Sequence, residues 1–204
     1  LALAALILLA TPAARPGAAA TAPRAVLLLP VASGTPGQEW SARALGVLLE
    51  EQFGALAGAR VVGGPLRDDA LRELASRESV APAEFQEICR RAGADLALIG
   101  GSTLAEGRLA LELRIFLAAP GREAQIFRGN EPAARAFPLV AAAVRHVAAA
   151  ADIQLSPAEE ARLARVPTAS LEAYAAFREA LREAEPAARV TKLRGVLELD
   201  ARYA

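Results

Sequence analysis

Few side chains in this sequence can do covalent chemistry, and those few stand far apart. Cys89 is the single cysteine and His146 the single histidine. A thiol nucleophile needs a base that holds it as thiolate, and a serine nucleophile needs a histidine oriented by an acid. Cys89 instead shares a helical stripe with Phe85, Ile88 and Ala92, which is the setting of a small buried hydrophobe. His146 falls off the apolar stripe Val140, Val144, Val147 and Ala151, so it is expected to face solvent. A zinc site would have to complete its ligand set with carboxylates, and no such cluster is apparent in the sequence. Gly34-Thr35-Pro36-Gly37 lies between an apolar run and a helical pattern, where phosphate loops sit. It lacks the Lys and Ser/Thr of a P-loop, and Pro36 removes one amide donor. A plain strand–helix loop is the expectation. Gly100-Gly101 reads as a kink at the end of a strand. The acid pairs Asp68-Asp69 and Glu159-Glu160 lie near helix starts, and Arg90-Arg91 near a helix end. Charge there complements the helix dipole, so all three read as solvated caps. No catalytic, cofactor-binding or metal-binding residue is assigned, and the chain is expected not to be an enzyme.

The elements that would carry these residues follow from hydrophobic period. Residues 25–31 (Ala-Val-Leu-Leu-Leu-Pro-Val) form a short continuous apolar run, which suits a central strand buried on both faces and ending at Pro30. Residues 39–56 carry Leu45, Leu48, Leu49, Gln52, Phe53 and Leu56 on one helical stripe, with Glu50 and Glu51 off it. A short strand over 59–62 is expected to end at Gly63-Gly64-Pro65. A weaker helix is expected over 68–76, and a clearer one over 82–93 with Gly93 as its stop. Residues 96–100 read as a strand, and Ala105-Glu106-Gly107 turns the chain into 108–117. There Leu109, Leu111, Leu113, Ile115 and Leu117 alternate with Arg108, Ala110, Glu112 and Arg114, the period of an antiparallel strand with one wet face. Pro120-Gly121 is a turn signal, and 124–128 closes the meander. A helix over 138–151 follows. The fold class is therefore α/β, or α+β: a mixed sheet with helices packed on it. From Leu155 the texture changes. Ser156-Pro157-Ala158-Glu159 is a capping box with Pro at the first helical position, and it opens a short charged helix. Helices over 171–184 and 187–199, joined across Pro186, are expected to pair as an antiparallel hairpin.

The sequence has 204 residues with Lys plus Arg equal to Asp plus Glu at 23 each, so the electrostatic footprint of a nucleic-acid binder is missing. Its apolar content of 54% excludes a disordered chain, and one cysteine excludes a disulfide scaffold. Residues 1–10 are wholly apolar and uncharged, about half of what a bilayer crossing needs. Small residues follow, including Ala18-Ala19-Ala20, which suits the core and cleavage region of a secretory signal. The rival reading makes 1–10 the end of a transmembrane helix. The start at Leu1 rather than Met and the stop at Ala204 give the expectation of a fragment of a longer protein.

Several stretches resemble a known family. Ala25-Val26-Leu27-Leu28-Leu29-Pro30, the Ser33-Gly34 loop and Gln38-Glu39-Trp40 are similar to the start of the TolB amino-terminal-like domain. That domain also occurs in FlgO-like proteins and in the extracytoplasmic parts of CadC-type regulators, some cyclases and some kinases. Arg91-Ala92-Gly93-Ala94-Asp95 leading into Leu98-Ile99-Gly100-Gly101-Ser102, and Ala118-Ala119-Pro120-Gly121, resemble its later landmarks. Residues 155–164 and Pro167-Thr168-Ala169-Ser170-Leu171-Glu172-Ala173-Tyr174 resemble the linker that joins this domain to tetratricopeptide repeats, and 196–204 the end of a repeat. Val31, Val196 and Ala201 depart from the usual pattern, which favours an aromatic, a small residue and Pro there.

The resemblance implies three segments: 1–23, a signal peptide remnant or transmembrane helix end; 24–153, the TolB amino-terminal-like domain; and 154–204, a helical linker with a first tetratricopeptide-like helix pair. It implies a non-catalytic protein of the periplasm or cell envelope that binds a protein partner through stacked helices, with no nucleic acid and no cofactor. The alternative is an extracytoplasmic sensing or output module of a membrane-bound signalling protein, tethered at its N-terminus. Neither the partner nor the oligomeric state is assigned.

Overall fold

The computed structural model describes residues 22–75, 82–119 and 124–203. The apolar run at 1–10, Ala18-Ala19-Ala20 and the Pro120-Gly121 turn lie outside these residues.

Six strands, β1 (Arg24–Leu28), β2 (Ala32–Ser33), β3 (Ala59–Val61), β4 (Leu96–Ala105), β5 (Arg108–Leu117) and β6 (Gln125–Pro132), form one sheet. Its main path runs β3-β1-β4-β5-β6, and β2 pairs with β4 alongside. β1 is parallel to β3 and to β4, whereas β4, β5 and β6 make an antiparallel meander. The continuous apolarity of β1 has the predicted cause. Val26 and Leu28 enter one core, and Ala25, Leu27 and Leu29 enter another on the opposite face.

The helices are α1 (Glu39–Gly54), α2 (Gly64–Ala75), α3 (Pro82–Arg91), α4 (Ala136–Ala150), α5 (Pro157–Leu163), α6 (Leu171–Arg182) and α7 (Pro186–Leu199). The first crossover, β1 to β3 through α1, moves one way along the sheet. The second, β3 to β4 through α2 and α3, moves back across β1. Right-handed crossovers in opposite directions put their helices on opposite faces. Accordingly α1 packs with Val26, Leu96, Leu98 and the inward leucines of β5, while α3 packs with Leu27, Ala97 and Phe116 on the other side. α4 joins α1 on the first face and covers β5 and β6. Among the described residues only 133–150 is long and apolar enough to cross a membrane, and that stretch is this core helix.

Local chemistry sets the boundaries. Gly93 at φ +66° ends α3 as predicted, with the Ala94 amide donating to the Cys89 carbonyl and the Gly93 amide to that of Arg90. Asp152 at φ +56° does the same for α4. Glu106 and Gly107, both at positive φ, make the two-residue turn between β4 and β5.

Three expectations need correction. Gly64-Pro65 does not merely end β3; it opens α2, because Pro tolerates the first helical turn. Asp68-Asp69 therefore lie in the second turn, exposed, rather than at the cap. Gly100-Gly101 is not a strand-end kink, since β4 runs through it to Ala105. A Cβ on Gly100 would lie 2.7 Å from Leu113 Cδ2 and 3.2 Å from Val31 Cγ2, so the missing side chain serves close packing inside a strand.

Candidate functional site

One part of the sheet carries no described helix. No described helix covers β4, β5 and β6 on the α3 side beyond Phe116, and there the wet face predicted for β5 opens into a cavity of about 1230 Å³. One end is apolar, with Leu29, Leu71, Leu74, Phe85, Ile99 and Phe116 in its wall. Phe85 and Phe116 meet there with their rings tilted by 54° and 4.5 Å between centroids. The other end is polar. Glu112 on β5 stands directly opposite Arg128 on β6, and Arg114 is two residues along the same face. Arg128 Nε donates to Glu112 Oε2 at 2.8 Å and Arg114 Nε to Oε1 at 3.2 Å. The two guanidinium groups, Arg128 first, hold the Glu112 carboxyl below the usual carboxylate range. Thr103, Asn130 and Ser33 complete this end.

The second feature is the helical hairpin. α6 and α7 pack on one another, and α6 packs on α1. Leu171 and Tyr174 enter the main core, where Tyr174 meets Phe137 edge-on at 5.4 Å. Glu51, which the helical stripe left outside, is the polar anchor. Tyr174 Oη donates to Glu51 Oε2 at 2.6 Å, and Arg178 pairs with Oε1. Burial and this carboxylate push the Tyr174 hydroxyl pKa up. A smaller cavity of about 450 Å³ opens beside the cluster, between Phe177, Leu193, Val196 and Tyr203.

The predicted capping box forms in full. Ser156 Oγ accepts from the Glu159 amide, and Glu159 accepts from the Ser156 amide. Glu159 is not the solvated cap expected of it: only 7% exposed, it also accepts from the Ala57 amide at 2.7 Å. Arg162 Nη1 donates to the Ala55 carbonyl at 2.6 Å, at the C-terminus of α1. The segment that follows the sheet is thus fastened to the end of α1 by one acid and one base.

The residues singled out for covalent chemistry are not brought together. Cys89 is 1% exposed in the α3 core, and burial pushes its thiol up to about 11. His146 is exposed on α4, as expected, beside Phe127. Among the described residues no group of three His, Cys, Asp or Glu could hold a metal ion. In the loop before α1, the amides of Gly34, Thr35, Gly37 and Gln38 all donate to acceptors of the protein, so these loop amides do not form a phosphate cradle. Arg90 and Arg91 pair with Glu87 and Glu73.

No family model matches the sequence, and no curated protein matches it. Among solved structures, the LpoB C-terminal domain from Salmonella enterica is similar with a TM-score of 0.42 and 17% identity, over 55% of this chain and 84% of that one. A lipoprotein from Neisseria meningitidis is similar with a TM-score of 0.41 and 17% identity, over 62% of this chain and 97% of that one.

Proposed function

We propose that this chain is a non-catalytic, extracytoplasmic protein-interaction module. In this reading residues 24–153 are a TolB amino-terminal-like unit, and 154–204 are a linker and a first tetratricopeptide-like helix pair. One observation carries it: α6 packs on α1 and α7 on α6, yet Leu181, Val190, Leu197 and Leu199 are left between 44% and 53% exposed. Val190 and Leu197, seven residues apart, lie on one face of α7, and exposed apolar side chains repeated along one helix face are what a protein partner covers. The apolar run at residues 1–10 supports export. The distance of Cys89 from His146, one in the α3 core and the other on the solvent side of α4, supports a role without covalent chemistry.

The test is retention of a partner from envelope extract by the immobilised chain, compared with the variant Leu181→Asp/Val190→Asp/Leu197→Asp. The expected result is a partner retained by the parent chain and lost by the variant, with both chains giving the same circular dichroism. Equal retention by both chains, or no retention by either, refutes the reading.

A further inference from the structure

The part of the meander that no described helix covers, with the α2 wall beside it, has a composition that a solvated surface does not need. Leu71, Leu74, Ile99 and Phe116 are only partly buried and turn apolar surface into the cavity. Ile126 lies on the same face of β6, 40% exposed. At the other end two guanidinium groups share one carboxylate. Glu112 engages the Nε of both Arg114 and Arg128, and their η nitrogens have no protein partner among the described residues. The end-on pair of η N–H groups is the part of arginine that takes a carboxylate bidentately. Among the described residues, Glu112 thus orients both forks and leaves one of the two positive charges uncompensated. The cavity, at about 1230 Å³, exceeds the roughly 300–1000 Å³ of ordinary small-molecule pockets, so it has room for an elongated ligand.

We propose that this cleft binds a monomeric long-chain carboxylate, with its hydrocarbon tail between α2, α3 and the sheet and its head group on Arg114 and Arg128. The tail leaves water against Leu71, Leu74, Ile99 and Phe116, which supplies affinity without direction. The head group completes the two forks and fixes polarity along the cleft. This assignment does not depend on the hairpin or on any protein partner.

Titration of the full chain with dodecanoate below its micelle concentration, with dodecanol and with phosphatidylglycerol vesicles as separate arms, tests it. The expected result is saturable binding of dodecanoate, with dodecanol weaker by about tenfold or more, the order of a charge-assisted bidentate pair. Arg114 and Arg128 side chains are 58% and 68% exposed, so Arg114→Gln/Arg128→Gln is expected to fold and to bind dodecanoate no better than dodecanol. Leu74→Asp is expected to weaken both ligands together. Absence of saturable dodecanoate binding overturns the proposal. So does equal affinity of the parent chain for acid and alcohol, undiminished acid binding in the double arginine variant, or binding to vesicles alone.

Discussion

Replacing Glu159 is expected to weaken the fastening between α5 and the end of α1 by an amount that can be worked out. Its Oε2 accepts from the Ser156 amide and hydroxyl, both at 2.7 Å, and its Oε1 from the Ala57 amide at 2.7 Å. In Glu159→Ala, water can reach Ser156, which is exposed, so that side of the loss is of the size of a helix cap, about 1 kcal/mol. Ala57 is exposed as well, so the loss there is the net worth of a hydrogen bond to a carboxylate, about 1–2 kcal/mol. Together these give about 2–3 kcal/mol, or a fall in Tm of roughly 4–12 °C for a chain of this size. Glu159→Gln is no rescue, because donors approach both of its oxygens and an amide offers an acceptor on one side only. The same hydrogen bonds, from the Ser156 hydroxyl first and then from the Ser156 and Ala57 amides, hold the carboxyl below its usual 4.5. A carboxyl lowered in the folded state binds its proton more readily unfolded. Its contribution is therefore complete above the unfolded value and is lost as pH falls through the folded one. Thermal melts of the parent chain and the alanine variant should differ most at neutral pH and converge below pH 4.5. A Tm difference under about 1 °C at pH 7 would refute the working, since it would correspond to less than about half a kcal/mol. So would a difference that does not change with acid.

Other substitutions follow from the packing. Gly129→Ala is expected to destabilise by about 1–2 kcal/mol, because overpacking outweighs the gain from stiffening the unfolded chain. A Cβ there meets Leu139 Cδ1 of α4 and the Phe127 ring at 3.1 Å, and Leu139 is itself 3% exposed; urea melts would check this. Tyr174→Phe leaves the Glu51–Arg178 pair in place and removes one hydrogen bond to a carboxylate, for an expected loss of about 1–2 kcal/mol. A melting temperature equal to the parent's would contradict that role. Cys89, buried and with its thiol pushed up to about 11, should resist a thiol-specific chromogenic reagent at neutral pH in the folded chain and react at once in denaturant.

The strands and helices were readable where one face is buried and the period is clean. The alternation from Leu109 to Leu117 predicted β5 and its wet face because each leucine enters the α4 side of the sheet. Gly93 and the Ser156–Glu159 box were readable because one residue type satisfies one backbone geometry. The course of β4 beyond Gly100 was not. Gly100-Gly101-Ser102-Thr103 has the composition of a turn, and only the positions of Leu113 and Val31, set by the rest of the fold, show why glycine belongs in the strand. Gly63-Gly64-Pro65 hid the start of α2 because the same residues stop a strand and open a helix. Of the cleft, the sequence disclosed Glu112 and Arg114 on the solvent face of β5. Arg128 joins them only through the register of β6, which no local pattern states. Glu51 and Tyr174 are 123 positions apart, so their pairing is a property of the tertiary arrangement alone.

α1 is gripped from two sides. The strands hold one flank of it, and α6, Tyr174, Glu159 and Arg162 hold the rest. A hairpin attached in this way cannot swing as a free pendulum on its tether. A pull on α7 passes through α6 to α1, and α1 passes that load to the strands beneath it. Mechanical force applied to the hairpin would therefore be borne by the most deeply seated layer of the molecule, and would not be dissipated in a slack joint.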